Sequence, residues 1–185
     1  MLSAESFWTT SLRASPQGEG ITRILAAAIA SVEPGAAVRR FVRRREDTLT
    51  ISGREYNLRD FQRVALLGLG KASLDMSAEL VELLGETLST GLVISKQDEP
   101  VSHPPVTFIR GGHPIPDEHS LSAGNRTKEM VSSLGPQDLL ICAISGGGSA
   151  LVTAPVAGVS LADFQILTSV LVSCGAPIDE INILR

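Results

Sequence analysis

One stretch constrains the fold more than any other. An apolar run from Leu139 to Ile144 stops abruptly in Ser145-Gly146-Gly147-Gly148-Ser149, and apolar residues resume at Ala150. A short apolar run bounded by turn residues predicts a buried strand feeding a glycine-rich loop. Glycines lack Cβ atoms, so the loop can bend tightly and bring its N–H groups close to a ligand. Two flanking hydroxyls add hydrogen-bonding groups, and a helix starting soon after would turn its positive end toward an anion. Phosphate or carboxylate is the natural guest; a plain flexible turn is the alternative.

A second stretch, RVALLGLGKASLDMSAELVELLG, repeats the pattern. Arg63 to Leu67 reads as a buried strand, and Ala72 to Leu84 has the helical period, so Gly68-Leu69-Gly70-Lys71 is a strand-to-helix turn with a lysine at its exit. A Walker loop would need glycine where Ala65 stands and Ser or Thr where Ala72 stands. The dinucleotide fingerprint would need a third glycine where Ser73 stands. What remains is Lys71 at the mouth of a βα turn, where open α/β sheets bind ligands; an ordinary surface lysine is the alternative.

Around these lie simpler signals. Residues 1–20, around Phe7 and Trp8, read as a loose lead-in that docks on something, and Ile21 to Val32 as a helix ended by Pro34-Gly35. The arginine-rich run at Arg39, Arg40, Arg43, Arg44 and Arg45 reads as a solvated helix face, or as a docking face for an anion or a domain. TLTI, Ser52-Gly53 and REYNL predict a hairpin. Thr90 to Ser95 and Val106 to Arg110 read as strands. The second runs into Gly111-Gly112-His113-Pro114-Ile115-Pro116-Asp117, where the prolines predict a stiff, extended loop. His113 and Asp117 there suit a site wall, or a structural connection with a capping Asp. With His119 they lack metal-ligand spacing. Glu118 to Leu134 and Leu161 to Val172 are predicted helices, the latter capped by Ser160, and Asp138 to Ile144 a strand.

The alternating strands and helices, with unalternating apolar strands, predict an α/β fold. It has three layers, a mostly parallel sheet and helices on both faces, in the Rossmann-like manner. The loops after Leu67, Arg110 and Ile144 then converge at one edge of the sheet. The 185 residues suit one domain of ordinary size. A net charge of −4 and few aromatics argue against a nucleic-acid partner. No apolar run reaches the roughly 18 residues that cross a bilayer. Cys142 and Cys174 read as small core residues in a reduced compartment, and the cytoplasm is the expected location.

Four blocks carry a resemblance: GLGKAS, GGHPIPDEHSLSAGNRTKE, DLLICAISGGGSALVTAPVAGVSL and CGAPIDEINILR. In this order and spacing, from about Ile21 to Arg185, the chain resembles the amino-terminal domain of the glycerate 2-kinases, whose carboxy-terminal part is called MOFRL. The resemblance implies phosphoryl transfer from ATP, with Mg²⁺, to the 2-hydroxyl of D-glycerate. It points to Lys71 as the active-site lysine and to Ser145, Gly146, Gly147, Gly148 and Ser149 as the cradle of an acidic ligand or of nucleotide phosphates. It places His113, Asp117, Asn182 and Arg185 around the cleft, with no protein metal cluster. Hydroxyl activation by a carboxylate such as Asp117 is one option.

The chain ends at Arg185, before the second domain that the family places across its cleft. The resemblance therefore implies an amino-terminal domain over residues 1–185, which need not be active alone, and either a homo-oligomer or a missing second domain. Two other readings stay open. One is an oxidoreductase acting on hydroxypyruvate, against which the absent third glycine and the absent acid after TGLVIS both count. The other is a non-catalytic binding or assembly module of the same fold.

Overall fold

The computed structural model describes residues 3–97 and 104–184. Two short helices come first, α1 (Thr10–Arg13) and the longer α2 (Gly18–Ser31). They are followed by α3 (Pro34–Phe41) and three short strands, β1 (Val42–Arg45), β2 (Thr48–Ile51) and β3 (Arg54–Asn57). The main unit runs β4 (Arg63–Leu69), α4 (Ser73–Leu84), β5 (Leu88–Ser95), β6 (Val106–Arg110), α5 (Glu118–Ser132) and β7 (Asp138–Ile144). Three further helices close the chain: α6 (Gly148–Leu151), α7 (Leu161–Ser173) and α8 (Ile178–Leu184).

The main sheet has the order β6-β5-β4-β7, and every pair in it is parallel. Leu69 pairs with Ile94 on one side and Ile144 on the other, while Ile94 pairs with Ile109. The strand ends are thus level, and the loops that follow them leave from one edge. The chain lays β5 and β6 to one side of β4 and then returns to place β7 on the other. That reversal makes the β4–β7 boundary a topological switch point, the usual ligand crevice of such sheets.

The apolar residues of the strands divide between two faces. Val64, Leu66, Val93, Ile141 and Ala143 pack with Leu80 and Leu84 of α4, and with Val38, Leu49 and Leu58 beneath the small sheet. Leu67, Leu92 and Ile94 pack with Ala123 of α5 and Leu151 of α6 on the opposite face. This is the expected α/β architecture with helices on both faces.

Several sequence expectations need correction. Residues 1–20 are not merely loose: α1 is capped by Thr9, and Arg13 stacks 5.5 Å from the Trp8 ring. The helix before Pro34 does stop there, at Ser31, but Pro34 also opens α3, at whose start the Glu33 carboxylate accepts from Gly35 N and Ala36 N. Proline suits that position because the first helical N–H has no partner to lose.

The arginine run is not one helix face. It breaks after Phe41, and Arg43 to Arg45 form β1 against β2. Arg44 Nη1 donates to Leu83 O (3.1 Å) and Leu84 O (2.5 Å), capping the carboxyl end of α4 where orphan carbonyls favour a cation. Arg39 pairs with Glu79 of the same helix. The hairpin is as expected, with Ser52 and Gly53 both at positive φ (49° and 86°), as a two-residue turn requires. Cys142 and Cys174 are exposed and are not core residues. Cys142 lies on the edge strand β7, and Cys174 caps the end of α7.

Close packing of β4 on α4 depends on Gly68, because a Cβ there would overlap Ser77 Oγ. That buried hydroxyl makes no hydrogen bond among the described residues. An unpaired buried hydroxyl costs about 1–3 kcal/mol. Ser77→Ala is therefore expected to raise stability by roughly 1 kcal/mol in urea titrations. Gly68→Ala should cost less in that background than in the wild type. Equal costs in the two backgrounds would show that the Gly68–Ser77 contact does not limit the packing.

Among the described residues no single helix is long and apolar enough to cross a membrane. The pair α2 and α3 reaches that composition only together, across a 56° bend.

Candidate active site at the switch point

The turn after β4 and the loop after β7 are laced together. Ser145 N donates to Leu69 O (2.9 Å), Lys71 N to Gly146 O (2.9 Å) and Ala72 N to Ser145 Oγ (3.0 Å). Gly70 sits at φ +119°, and a Cβ on it would overlap Ser145 Oγ and the Ser145 carbonyl. The Gly-Lys turn and the Ser-Gly loop therefore form one structure. Ser73, where a dinucleotide site would carry its third glycine, is fully buried, and its hydroxyl reaches Ile94 O (2.7 Å) and Gly70 O (2.8 Å).

Beyond Ser145 the loop turns through Gly147, at φ +87°, into the single turn α6. Ala150 and Leu151 are buried, and Leu151 enters the core beside Leu92, Ile94 and Ala123. The apolar pair after the glycines thus anchors a loop whose tip stays accessible. Gly146 N–H and Gly147 N–H donate to no acceptor among the described residues.

The site's third part is the segment after β6. Gly111 N donates to Ser95 O (2.9 Å), and a Cβ on Gly111 would overlap Leu151 O. The segment bends at residues 113–115, where the prolines suggested extension, and the His113–Pro114 peptide is cis. His113 lies close to the glycine loop: a Cβ on Gly147 would lie 2.9 Å from Lys71 Cε and 3.1 Å from His113 Nε2. The three loops do converge, with Lys71 and His113 both close to Gly147. The exposed Lys71 ammonium has no carboxylate within ion-pair distance among the described residues.

Asp117 has a defined structural task. Its Oδ1 accepts from Ser120 N (2.8 Å) and Gly112 N (3.1 Å) as the N-cap of α5, and Asp117 N donates back to Ser120 Oγ (3.2 Å). Burial works to raise its pKa, but the Ser120 and Gly112 hydrogen bonds outweigh it and hold the carboxyl below its ordinary value. A group so stabilised as carboxylate is a weak proton acceptor; Asp117 fixes the shape of the His113 loop.

Asn182 lies elsewhere, in a smaller hollow with Ser149, Thr153 and Phe164. Ser149 lines that hollow with Phe164 of α7 and Asn182 of α8. Arg185 is outside the described residues. Sequence reasoning missed a larger cavity of about 680 Å³ that adjoins His113 and Asp117 on the β6 side of the sheet. Its basic residues are scattered in sequence, so no local motif announces them.

Residues 20–185 match the family model described as domain of unknown function DUF4147. This chain belongs to the DUF4147 family. A protein named D-glycerate 2-kinase in Thermotoga maritima is 38% identical over 129 residues, which cover 68% of this chain and 30% of that protein. A protein of Agrobacterium vitis that carries the label hydroxypyruvate reductase is 38% identical over 123 residues, covering 66% of this chain and 32% of its own. A solved structure from Pyrococcus horikoshii superposes with a TM-score of 0.75 at 31% identity, over 86% of this chain and 36% of that one. The family resemblance read from the motifs agrees with these matches. This chain spans about a third of the length of the curated relatives.

Proposed function

We propose that this chain supplies the amino-terminal half of a glycerate 2-kinase site, which moves the γ-phosphoryl group of ATP to the 2-hydroxyl of D-glycerate. One observation carries the reading: at the switch point of the sheet, a lysine ammonium and two loop N–H groups lie together with no partner among the described residues. Such a set binds an anion and neutralises charge on a transferring phosphoryl group, and phosphoryl transfer is mostly positioning and charge neutralisation.

In the reaction the bond between the γ-phosphorus and the ADP oxygen breaks, a bond to the glycerate 2-oxygen forms, and the hydroxyl proton passes to solvent. Gly146 and Gly147 would hold the glycerate carboxylate, Lys71 would sit between it and the incoming phosphoryl group, and His113 would flank that group. Mg²⁺ would enter on the nucleotide phosphates, its usual mode where proteins offer few carboxylates. The test is an enolase-coupled assay with Mg-ATP and D-glycerate. A signal without added mutase identifies 2-phosphoglycerate as the product. Absence of both turnover and glycerate binding in the wild-type chain would sink the reading.

The label on the Agrobacterium relative keeps a reductase reading in play. The buried, hydrogen-bonded Ser73 argues against it, because the third glycine of a dinucleotide site is replaced by a group with its own structural use. NADH oxidation with hydroxypyruvate, followed by absorbance, separates the two.

The rest of the proposed enzyme would cover α7 and α8. Ile166, Val170, Ile178 and Ile183 are 58–81% exposed there, and Ile144 on the edge strand is 62% exposed. Apolar surface on this scale drives association. The isolated chain is expected to self-associate with rising concentration in light scattering, and Ile166→Lys with Ile183→Lys to suppress it. A monomer at every concentration would remove the argument for a covering domain here.

A further inference from the structure

The apolar stripe of α2 lies open. Ile21, Ile24, Leu25 and Ile29 are exposed, Ile24 at 69%, and so is Val32, the residue after the helix, at 72%. Ala28 between them is exposed as well. The buried residues of α2 are Gly18 and Thr22, on the flank where residues 4–13 pack. A Cβ on Gly18 would overlap Leu12 O and the Trp8 ring. The lead-in thus fixes the helix and leaves the stripe beside that contact uncovered.

The spacing of the stripe says what fits it. Ile21, Leu25, Ala28 and Val32 follow at steps of four, three and four, the seam of a coiled coil, with Ile24 and Ile29 on its two sides. The order of steps is the same from either end. Laid antiparallel on a copy of itself, the helix sets Ile21 opposite Val32 of the partner subunit and Leu25 opposite Ala28 of the partner subunit. Each pairing then occurs twice, as a two-fold interface requires. A large residue meets a small one in both central layers, so the two axes can approach to about 8–10 Å. With about 200 Å² on each aliphatic residue, the exposed fractions leave roughly 500 Å² of apolar surface on the stripe, and a pair would cover about 1,000 Å², where specific interfaces begin.

A bilayer is the poorer fit. Helices that lie on membranes carry lysine and arginine along their polar face, whereas α2 has one arginine, Arg23, against one acid, Glu19. The apolar surface of α7 and α8 is a separate one. α2 leads into α3, which packs on α4, while Gln165 of α7 donates to Pro116 O (2.8 Å) just before α5, on the other face of the sheet.

We infer that two copies of this chain join through α2, antiparallel, about a two-fold axis that passes between Leu25 and Ala28. The inference makes no use of the kinase reading, so either can fail while the other stands.

The experiment is the molar mass of the 185-residue chain by multi-angle light scattering after gel filtration. The starting chain carries Ile166→Lys with Ile183→Lys, which remove association through α7 and α8. It is expected to elute as a dimer of 39 kDa, twice the 19.5 kDa of one chain. Adding Leu25→Glu with Ala28→Glu, or Leu25→Lys with Ala28→Lys, sets like charges against each other in both central layers, and each product should be a monomer. Mixed in equal amounts, the acidic and basic products face opposite charges in both layers and should return to the dimer mass. Leu25 and Ala28 are exposed, so the variants should fold, which circular dichroism would verify.

A monomeric starting chain, a dimer that survives either charged pair alone, or two products that stay monomeric when mixed would each overturn the proposal. So would flotation of a monomeric starting chain with vesicles of phosphatidylcholine and phosphatidylglycerol, which would assign the stripe to a bilayer.

Discussion

Gly70→Ala should lower the stability of this chain by about 3 kcal/mol or more in urea titrations, while Gly146→Ala, six residues beyond Leu140 in the facing loop, should change it by less than roughly 1 kcal/mol. The two glycines look alike in sequence, each within a glycine-rich strand exit. Their surroundings differ. Gly70 has φ +119°, where a side chain is strained, and a Cβ there would overlap the Ser145 hydroxyl and backbone carbonyl. Backbone cannot retreat as a long side chain can, so relief would have to separate the two loops. That would break Ser145 N to Leu69 O, Lys71 N to Gly146 O and Ala72 N to Ser145 Oγ together. A Cβ on Gly146 meets nothing within 4 Å. Equal losses in the two variants would mean that the lacing of the loops contributes little to the fold.

The difference between these glycines also marks where the sequence stops being legible. The strands β6 and β7, the helix α7 with its Ser160 cap, and the convergence of three loops follow from runs of apolar residues closed by glycine and proline. Those signals are local, and the physics behind them is local too. The break between α3 and β1 was not legible, because Arg-Arg-Phe-Val-Arg-Arg-Arg suits either state until Arg44 finds the carbonyl end of α4, 39 and 40 residues away. The helices α6 and α8 are too short to show a period. Asp117 reads equally as a site wall or a cap, and only the Ser120 and Gly112 contacts decide that its oxygen is committed. Lys96, Arg110 and Arg126 line one cavity because the ends of β5 and β6 lie beside the first half of α5. Nothing in their sequence neighbourhoods requires it.

Lys71→Ala should reduce turnover of Mg-ATP and D-glycerate by about 10³-fold, the effect of removing one preorganised charge from a phosphoryl-transfer site, or roughly 4 kcal/mol of barrier. Its fold should survive, because the side chain is exposed and its backbone N–H, which tethers the loop through Gly146 O, is unchanged by the substitution. Most of the loss should fall on kcat if the ammonium meets charge that develops during transfer. It should fall on KM for glycerate if the ammonium holds the carboxylate alone. Gly147→Ala offers a second check, since its Cβ would press on both Lys71 Cε and His113 Nε2 without removing either group, although at φ +87° it also strains the loop backbone. A comparable fall in turnover with little loss of stability in urea would locate transfer between those two side chains. A Lys71→Ala enzyme with wild-type kcat and KM would remove the lysine from the reaction, and with it the reason for placing the acceptor at the β4–β7 boundary.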